Sequence, residues 1–310
     1  MNAFHRPLAG LVVGVSISDG DDSTSRGFPP WQVNRVTLQI VSALFGQGVG
    51  VIFGHDWRED GVMEAVHGFA VQMQPPDPLS SAEAKDAGQP LLRNLIPWPN
   101  SPHLSHDDLE RIASTLRVEE AGLPPGLIPF DKEARGARDG ALFCYLRARG
   151  LTHLRHRLDN NCYARLCLGG RRSGSEGRYP GVIEEALLSL QSDHPLYLAG
   201  VLGGATNQVI DAIKGAPLPE NFCPLTKATE LYLKPPLDIV EHDPETKLDR
   251  EVNPLRVWAT FAEAGLEALS SRNGLTNDEN FELFHTPVLD RVVQLVLTGL
   301  SRLNGIGKIR

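Results

Sequence analysis

Cysteine is scarce in this chain, and its four cysteines are not spaced for a disulfide framework. Cys144, Cys162, Cys167 and Cys223 include no C-x-x-C pair and no dense spacing of the secreted kind. We therefore expect buried or unreactive thiols in a reducing compartment.

Long apolar runs are also absent. No segment approaches the roughly 18 apolar residues of a membrane span. The first apolar run, Leu8–Ile17, leads directly into Asp19, Asp21 and Asp22 and lacks a small-x-small cleavage site, so it predicts a strand rather than a signal peptide. A soluble, cytoplasmic protein with no membrane partner is expected.

Positive charge is in deficit, with 30 basic residues against 38 acidic ones and a net charge of −8. Proteins that coat nucleic acid or anionic membranes are usually basic, so nucleic acid is not an expected partner. The length of 310 residues and the 41% hydrophobic content suit one large α/β domain, or a core with one appendage.

Several catalytic signatures are missing from the sequence. There is no G-x-x-x-x-G-K-[ST] phosphate loop, no G-x-G-x-x-G after the first strand and no G-x-S-x-G elbow. The pairs His103/His106 and His153/His156 have helical spacing but no third ligand at a recognisable distance, so no metal site is expected.

What the chain does contain is an alternation of apolar strand patterns and helical patterns. LAGLVVGVSIS, a helix over 33–45 and VGVIFG predict a right-handed βαβ unit with parallel strands, followed by a helix over 61–72. The same alternation is predicted later in the chain, with strand 163–168, helix 180–191, strand 195–199 and helix 205–214. The predicted fold class is α/β, with a Rossmann-like parallel sheet flanked by helices.

The predicted core covers residues 8–215 and includes an irregular insertion at about 74–150. The insertion holds a third strand, LLRNLIPWP, broken at Pro97, and helices around 107–116 and 137–149. Residues 216–310 are expected to form a linker or lid over 216–253 and then helices near 254–271 and 286–303, which pack on the core. Asn273-Gly274 predicts a helix stop, and Thr276 the start of a short capped turn.

The most informative segment is 162–186, CYARLCLGGRRSGSEGRYPGVIEEA. It predicts a buried strand, a loop with five glycines and a helix that opens at Pro180. Glycines let the backbone approach a phosphate, and the unpaired N–H groups of a first helical turn attract anions. Glu184 and Glu185 would then meet the sugar or base of the same ligand, so this segment predicts a nucleotide-like site.

Three more loops leave the carboxyl ends of predicted strands, where open parallel sheets bind ligands. They begin at Ser16, Gly54 and Gly200. Each of these features also has an explanation without a ligand. The glycine pairs would fit tight turns, and Asp56 and Arg58 would fit a surface ion pair. The helix dipole alone would favour Glu184 near a helix N-terminus. The candidate ligand-binding residues are Ser16, Ser18, Gly54, Asp56, Arg58, Gly169, Gly170, Arg171, Arg178, Gly181, Glu184, Gly203 and Gly204.

Together these segments resemble the SLOG superfamily, which joins the SMF/DprA proteins to the Lonely Guy cytokinin-activating enzymes. The likeness covers about residues 10–303 and is most specific over 11–61 and 155–204. It is greatest to the TIR-associating families of bacterial conflict systems, particularly the TIR- and PNP-associating type. The resemblance implies a Rossmann-like fold and a nucleotide-derived ligand.

The resemblance also implies two alternative functions. The preferred one is an antiviral sensor that binds an ADP-ribose or cyclic ADP-ribose-like molecule, acts through a TIR or other effector protein, and forms a homo-oligomer. The alternative is a Lonely Guy-like hydrolase of nucleoside 5′-monophosphates, in which Glu185 falls on the catalytic glutamate and Arg155 lies about where the family's arginine belongs. Val182 replaces the family's threonine and RRSGSEGRY lengthens its loop, which favours the sensor. No cofactor is expected for either function.

Overall fold

The computed structural model describes residues 7–54, 56–57, 61–73, 92–98, 104–125, 127, 140–234 and 252–307. Within these ranges, six strands form one parallel sheet and ten α-helices flank it. The predicted α/β class with a Rossmann-like sheet is therefore confirmed.

The order of the strands fixes where a ligand crevice can lie. The strands are β1 (Val12–Ser18), β2 (Gly50–Phe53), β3 (Leu92–Ile96), β4 (Leu116–Glu120), β5 (Ala164–Gly169) and β6 (Leu196–Ala199). They are arranged β4-β3-β2-β1-β5-β6, and every neighbouring pair is parallel. The chain moves outward from β1 to β4 and then returns to the other side of β1, so the order reverses between β1 and β5. Open α/β sheets bind ligands at such a switch point.

Helices cover both faces of the sheet. They are α1 (Pro30–Gly46), α2 (Val62–Gln72), α3 (His106–Ile112), α4 (Ala141–Asp159), α5 (Gly181–Gln191), α6 (Gly204–Ile213), α7 (Lys227–Leu233), α8 (Pro254–Asn273), α9 (Asn277–His285) and α10 (Leu289–Gly307). One hydrophobic cluster joins one face of the sheet to α1, α2 and α10, and other clusters join the opposite face to α4, α5, α6 and α8. No helix in the described ranges is both long enough and apolar enough to cross a membrane.

Burial on both faces explains why the central strands are mainly apolar. All six residues of β5 are buried, and its alternating side chains divide between the two faces. Leu166 packs in the cluster with α1, whereas Cys167 packs in the cluster with α5. Arg165 is the exception in this strand, because its charged side chain is as deeply buried as its apolar neighbours.

The structure corrects the predicted elements at several points. The helix predicted over 107–116 ends at Ile112, and Leu116–Glu120 forms β4, an edge strand that was not predicted. The helix predicted near 137–149 is α4, which continues to Asp159. Thr276 caps a full helix, α9, rather than a short turn, and its capping box is closed by Glu279.

The predicted domain boundary near 215 stays a prediction. Within the predicted insertion, β3 and β4 are members of the sheet, and within the predicted linker the chain forms α7. In the C-terminal region, Val292 and Leu295 of α10 belong to the same hydrophobic cluster as Val13 of β1. The predicted helix stop at Asn273-Gly274 is confirmed, since Gly274 adopts a left-handed conformation with φ of 73°.

Candidate functional site

A cleft of about 560 Å³ opens at the carboxyl ends of β1, β2 and β5. Its volume lies in the usual range for small-molecule pockets, about 300–1,000 Å³. Because the strand order reverses between β1 and β5, the cleft lies at the switch point of the sheet. Nine of the sequence-predicted residues line it: Ser16, Ser18, Gly54, Asp56, Arg155, Gly170, Arg171, Gly181 and Glu185.

Helix α5 begins at the wall of the cleft. Its N-cap residue, Pro180, makes no side-chain capping hydrogen bond, and Gly181 and Val182 of the first turn line the cleft. The N–H groups of a first helical turn have no partner within the helix, and the helix dipole adds positive potential there. This end of α5 can therefore bind an anionic group such as a phosphate.

Two glycines allow the loop after β5 to pass close to α5. Gly169 and Gly170 have φ values of 62° and 87°, which L-residues with side chains rarely adopt. A Cβ atom at Gly170 would lie 2.5 Å from Cγ2 of Val182, too close for any side chain. Gly170 lines the cleft, whereas the Gly169 carbonyl accepts a hydrogen bond from Oγ1 of Thr206 at 3.0 Å.

The carboxylate of Glu185 borders the cleft and is held from inside the sheet. Its Oε2 atom accepts a hydrogen bond from Nη1 of Arg165 at 2.9 Å and a second one from the hydroxyl of Ser16. Arg165 also donates to Ser16 Oγ at 3.0 Å and to Ser189 Oγ at 2.8 Å. Arg165 is not among the site residues predicted from the sequence. An arginine within an apolar strand pattern does, however, indicate a buried ion pair, because charged residues are rarely buried without a partner.

The neighbouring Glu184 points away from the cleft. It is only 3% exposed; its Oε1 accepts from Thr152 Oγ1 at 2.9 Å, and its Oε2 forms a buried ion pair with Nη1 of Arg155. Glu184 lines a second cavity of about 280 Å³ together with the predicted residue Arg178. Arg178 lies over the ring of Tyr179, at 5.3 Å from its centroid, and the structure does not bring it to the cleft.

The arginines that follow Gly170 contact carboxylates of the loop after β1. Nη2 of Arg171 lies 2.8 Å from Oδ2 of Asp19, and the backbone N–H of Arg172 donates to Oδ2 of Asp21 at 2.7 Å. Arg171 still lines the cleft, and its side chain is 57% exposed. The positive charge of these arginines is therefore partly neutralised by the protein itself.

A carboxylate of the protein itself, that of Asp22, occupies the N-terminus of α6, where Gly203 and Gly204 are candidate ligand-binding residues. The N–H of Gly204 donates to Oδ1 of Asp22 at 2.8 Å, and the N–H of Ala205 donates to the Gly170 carbonyl at 2.8 Å. Partial burial works to raise the pKa of Asp22, but hydrogen bonds from Arg26 and Gly204 outweigh it and hold the pKa below its usual value. The structure thus does not bring Gly203 and Gly204 into the cleft, and Asp22 was missed by the sequence reasoning.

The loop after β2 is ordered by a buried asparagine. Nδ2 of Asn94 donates to the Gly54 carbonyl at 3.0 Å, and its Oδ1 accepts from the indole N–H of Trp57 at 2.9 Å. Asp56 lines the cleft while its carboxylate accepts from the N–H of Val62, at 3.3 Å, at the start of α2. Arg58 lies outside the described residues.

The fold and the cleft together define a Rossmann-like α/β protein with a cleft where the strand order reverses. The family model described as SLOG cluster2 matches residues 7–283, and the chain therefore belongs to this SLOG family. A search of curated proteins and a search of solved structures each found no match. The predicted SLOG membership is confirmed, and the TIR- and PNP-associating type stays a prediction.

Proposed function

We propose that the protein is a sensor that binds a nucleotide-derived ligand, of the ADP-ribose or cyclic ADP-ribose type, in the cleft between β1 and β5. Membership of the SLOG family supports a nucleotide-related function. The observation that carries the proposal is that one cleft holds both the uncapped N-terminus of α5 and a fixed carboxylate of the same helix, that of Glu185. The first suits a phosphate and the second suits the hydroxyl groups of a ribose.

The phosphates and a ribose of such a ligand have matching groups in the cleft. A phosphate would accept hydrogen bonds from the N–H groups of Gly181 and Val182 in the first turn of α5. Arg171, which is exposed and paired with Asp19, can exchange that carboxylate for a second phosphate. A ribose hydroxyl would donate to Oε1 of Glu185, which faces Gly54: an added Cβ there would lie 3.8 Å from this oxygen.

Binding is favoured over hydrolysis because the two groups that a hydrolase would use are already engaged. Oε2 of Glu185 is held by Ser16 and Arg165, and Arg155 is held by Glu184. A Lonely Guy-like hydrolase of nucleoside 5′-monophosphates is the second candidate. It is favoured by one observation, that the carboxylate at the family's catalytic position borders the cleft.

The first test is isothermal titration with ADP-ribose, its cyclic isomers, NAD and AMP, followed by chromatography of each mixture. We expect an ADP-ribose-type ligand to bind and to be recovered intact. Release of free base from AMP would instead establish the hydrolase, and the absence of binding and of cleavage across this panel would contradict both functions.

The variant Glu185→Gln separates the two functions further. In a sensor it should weaken binding about tenfold, because one charge-assisted hydrogen bond becomes neutral. In a hydrolase it should abolish turnover and leave binding intact. Glu263→Gln, the same chemical change at an exposed position on α8, is the matched control and should alter neither measurement.

A sensor also needs an output. We propose that a TIR protein or another effector of a bacterial antiviral system receives the signal, with self-association of the SLOG chain as part of it. Mass photometry of the protein with and without ADP-ribose would show whether the ligand changes the assembly state. An unchanged monomer in both conditions would contradict self-association.

A further inference from the structure

Three side chains of metal-ligating type lie together at the opposite end of the sheet from the cleft. Asp159 is the last residue of α4, Cys162 follows in the turn that leads into β5, and His194 precedes β6. A carboxylate oxygen, the thiol sulfur and an imidazole nitrogen of these residues all lie within 4.8 Å of one another. We propose that they form a binding site for a divalent metal ion of the zinc class.

The spacing between His194 and Asp159 suits a shared cation. Nδ1 of His194 lies 3.4 Å from Oδ1 of Asp159, and this buried nitrogen has no hydrogen-bond partner within the described part of the chain. A direct N–H···O bond is usually about 2.9 Å long. Two ligands at about 2.0–2.1 Å from a tetrahedral zinc ion lie about 3.3 Å apart, which agrees with the observed separation.

The charge of the buried cluster also favours a cation. The carboxylates of Asp159 and Glu185 face a single guanidinium, that of Arg165, which lies 3.7 Å from the first and 2.9 Å from the second. These three groups carry one net negative charge, and the Asp159 side chain is only 3% exposed, so an uncompensated charge there is costly. A divalent ion and the Cys162 thiolate together add one net positive charge. The whole cluster, with Arg165 included, then becomes neutral.

The surrounding groups position the ligands. Ser189 donates to Oδ1 of Asp159 at 2.7 Å, the kind of outer contact that orients a metal-binding carboxylate. Asp193 adopts a left-handed conformation with φ of 57°, in the turn that places His194 beside the carboxylate. The His194 side chain is 27% exposed, so water can enter and complete the fourth position of a tetrahedral site.

The test is titration of the chelator-treated protein with Zn²⁺ and, separately, with Co²⁺. We expect one ion per chain, and a near-ultraviolet thiolate-to-cobalt charge-transfer band. Cys162→Ser should remove the band, and both Cys162→Ser and His194→Ala should weaken Zn²⁺ binding at least tenfold. Cys144→Ser and His106→Ala are the matched controls, the latter at a side chain that is 82% exposed, and should bind as the parent does.

Three results would overturn the site: no binding of Zn²⁺, equal affinity in all four variants, or a cobalt complex without the thiolate band. Equal affinity would mean adventitious metal at the surface. Thermal unfolding of each variant without metal checks that it is folded. Because His194 is partly exposed, His194→Ala keeps the test decisive if Cys162→Ser is unstable.

Discussion

Nη1 of Arg165 lies 2.9 Å from Oε2 of Glu185, so a guanidinium buried within β5 holds the carboxylate that borders the cleft. The side chain of Arg165 is 1% exposed and that of Glu185 is 13% exposed. Buried charges are stable only when they are paired and hydrogen-bonded. The orientation of the Glu185 carboxylate is therefore set by a core residue that does not line the cleft.

Replacing this core cation should destabilise the protein strongly. In Arg165→Met the carboxylates of Asp159 and Glu185 lose their buried partner, and we expect the free energy of unfolding to fall by about 3–5 kcal/mol in urea denaturation. Arg171→Met, which removes an exposed pair with Asp19, should cost less than about 1 kcal/mol. Equal losses in the two variants would show that the Arg165 network does not carry this energy.

The glycine that faces α5 should not tolerate a side chain. Gly170→Ala would place Cβ against Val182 at a φ of 87°, and we expect a loss of at least about 2 kcal/mol from overpacking and backbone strain. Gly68→Ala, in the interior of α2 with no atom near the added methyl, should instead gain about 0.5–1 kcal/mol. Urea denaturation measures both, and a stabilised Gly170→Ala would contradict the close approach of the loop.

Filling the cleft beside Glu185 should reduce ligand affinity without unfolding the protein. In Gly54→Val the new side chain meets the flexible end of Leu158 and narrows the space in front of Glu185 Oε1. We expect ADP-ribose to bind at least tenfold more weakly by isothermal titration. Gly54→Ala, with one methyl group, should have a smaller effect. Unchanged affinity in Gly54→Val would place the ligand elsewhere.

Acid should weaken the junction between α9 and α10. Hydrogen bonds from Arg302 and from the Thr276 backbone lower the pKa of Glu279 from 4.5 to about 2. Since the folded-state pKa lies below the unfolded value, the contribution is complete above about pH 4.5 and is lost as the pH falls toward 2. Solvent screening limits it to about 1 kcal/mol, because Arg302 is 45% exposed.

Glu279→Gln tests this pH dependence. Glutamine keeps the capping-box geometry at Thr276 but cannot pair with Arg302 as an anion. Between pH 5 and about pH 2.5, urea denaturation should show a smaller loss of stability in this variant than in the parent. Parallel curves for the parent and the variant would show that Glu279 does not carry the effect.

The central part of the fold could be predicted from the sequence because its signals are local. β5, the glycine loop and α5 follow one another within 164–191. There the apolar run indicates a strand, the glycines indicate a loop and the helical period indicates a helix. β4 could not be predicted in the same way. It is an edge strand of five residues, and the alternation Leu116-Arg117-Val118-Glu119 is too short to distinguish a strand from the end of the helix predicted before it.

The residues that line the cleft could be predicted better than their partners. Loops at the carboxyl ends of parallel strands can be recognised from where each predicted strand ends, and Ser16, Gly54 and Gly170, which were singled out in this way, line the cleft. The pairing of Asp22 with the N–H of Gly204 joins positions 182 residues apart, and no local pattern reports it. Ion pairs in this site are a product of tertiary packing, so the sequence indicated charged loops but not their neutralisation.

The return of the chain from the far edge of the sheet to β1 has a consequence for biosynthesis. Ser16 and Glu185, which share a hydrogen bond at the cleft, are 169 positions apart and meet only after β5 has paired with β1. A nascent chain exposes the first wall of the cleft long before the second wall leaves the ribosome. A ligand of this cleft can therefore engage both walls only after β5 and the start of α5 have joined β1, and it cannot assist the earlier stages of folding.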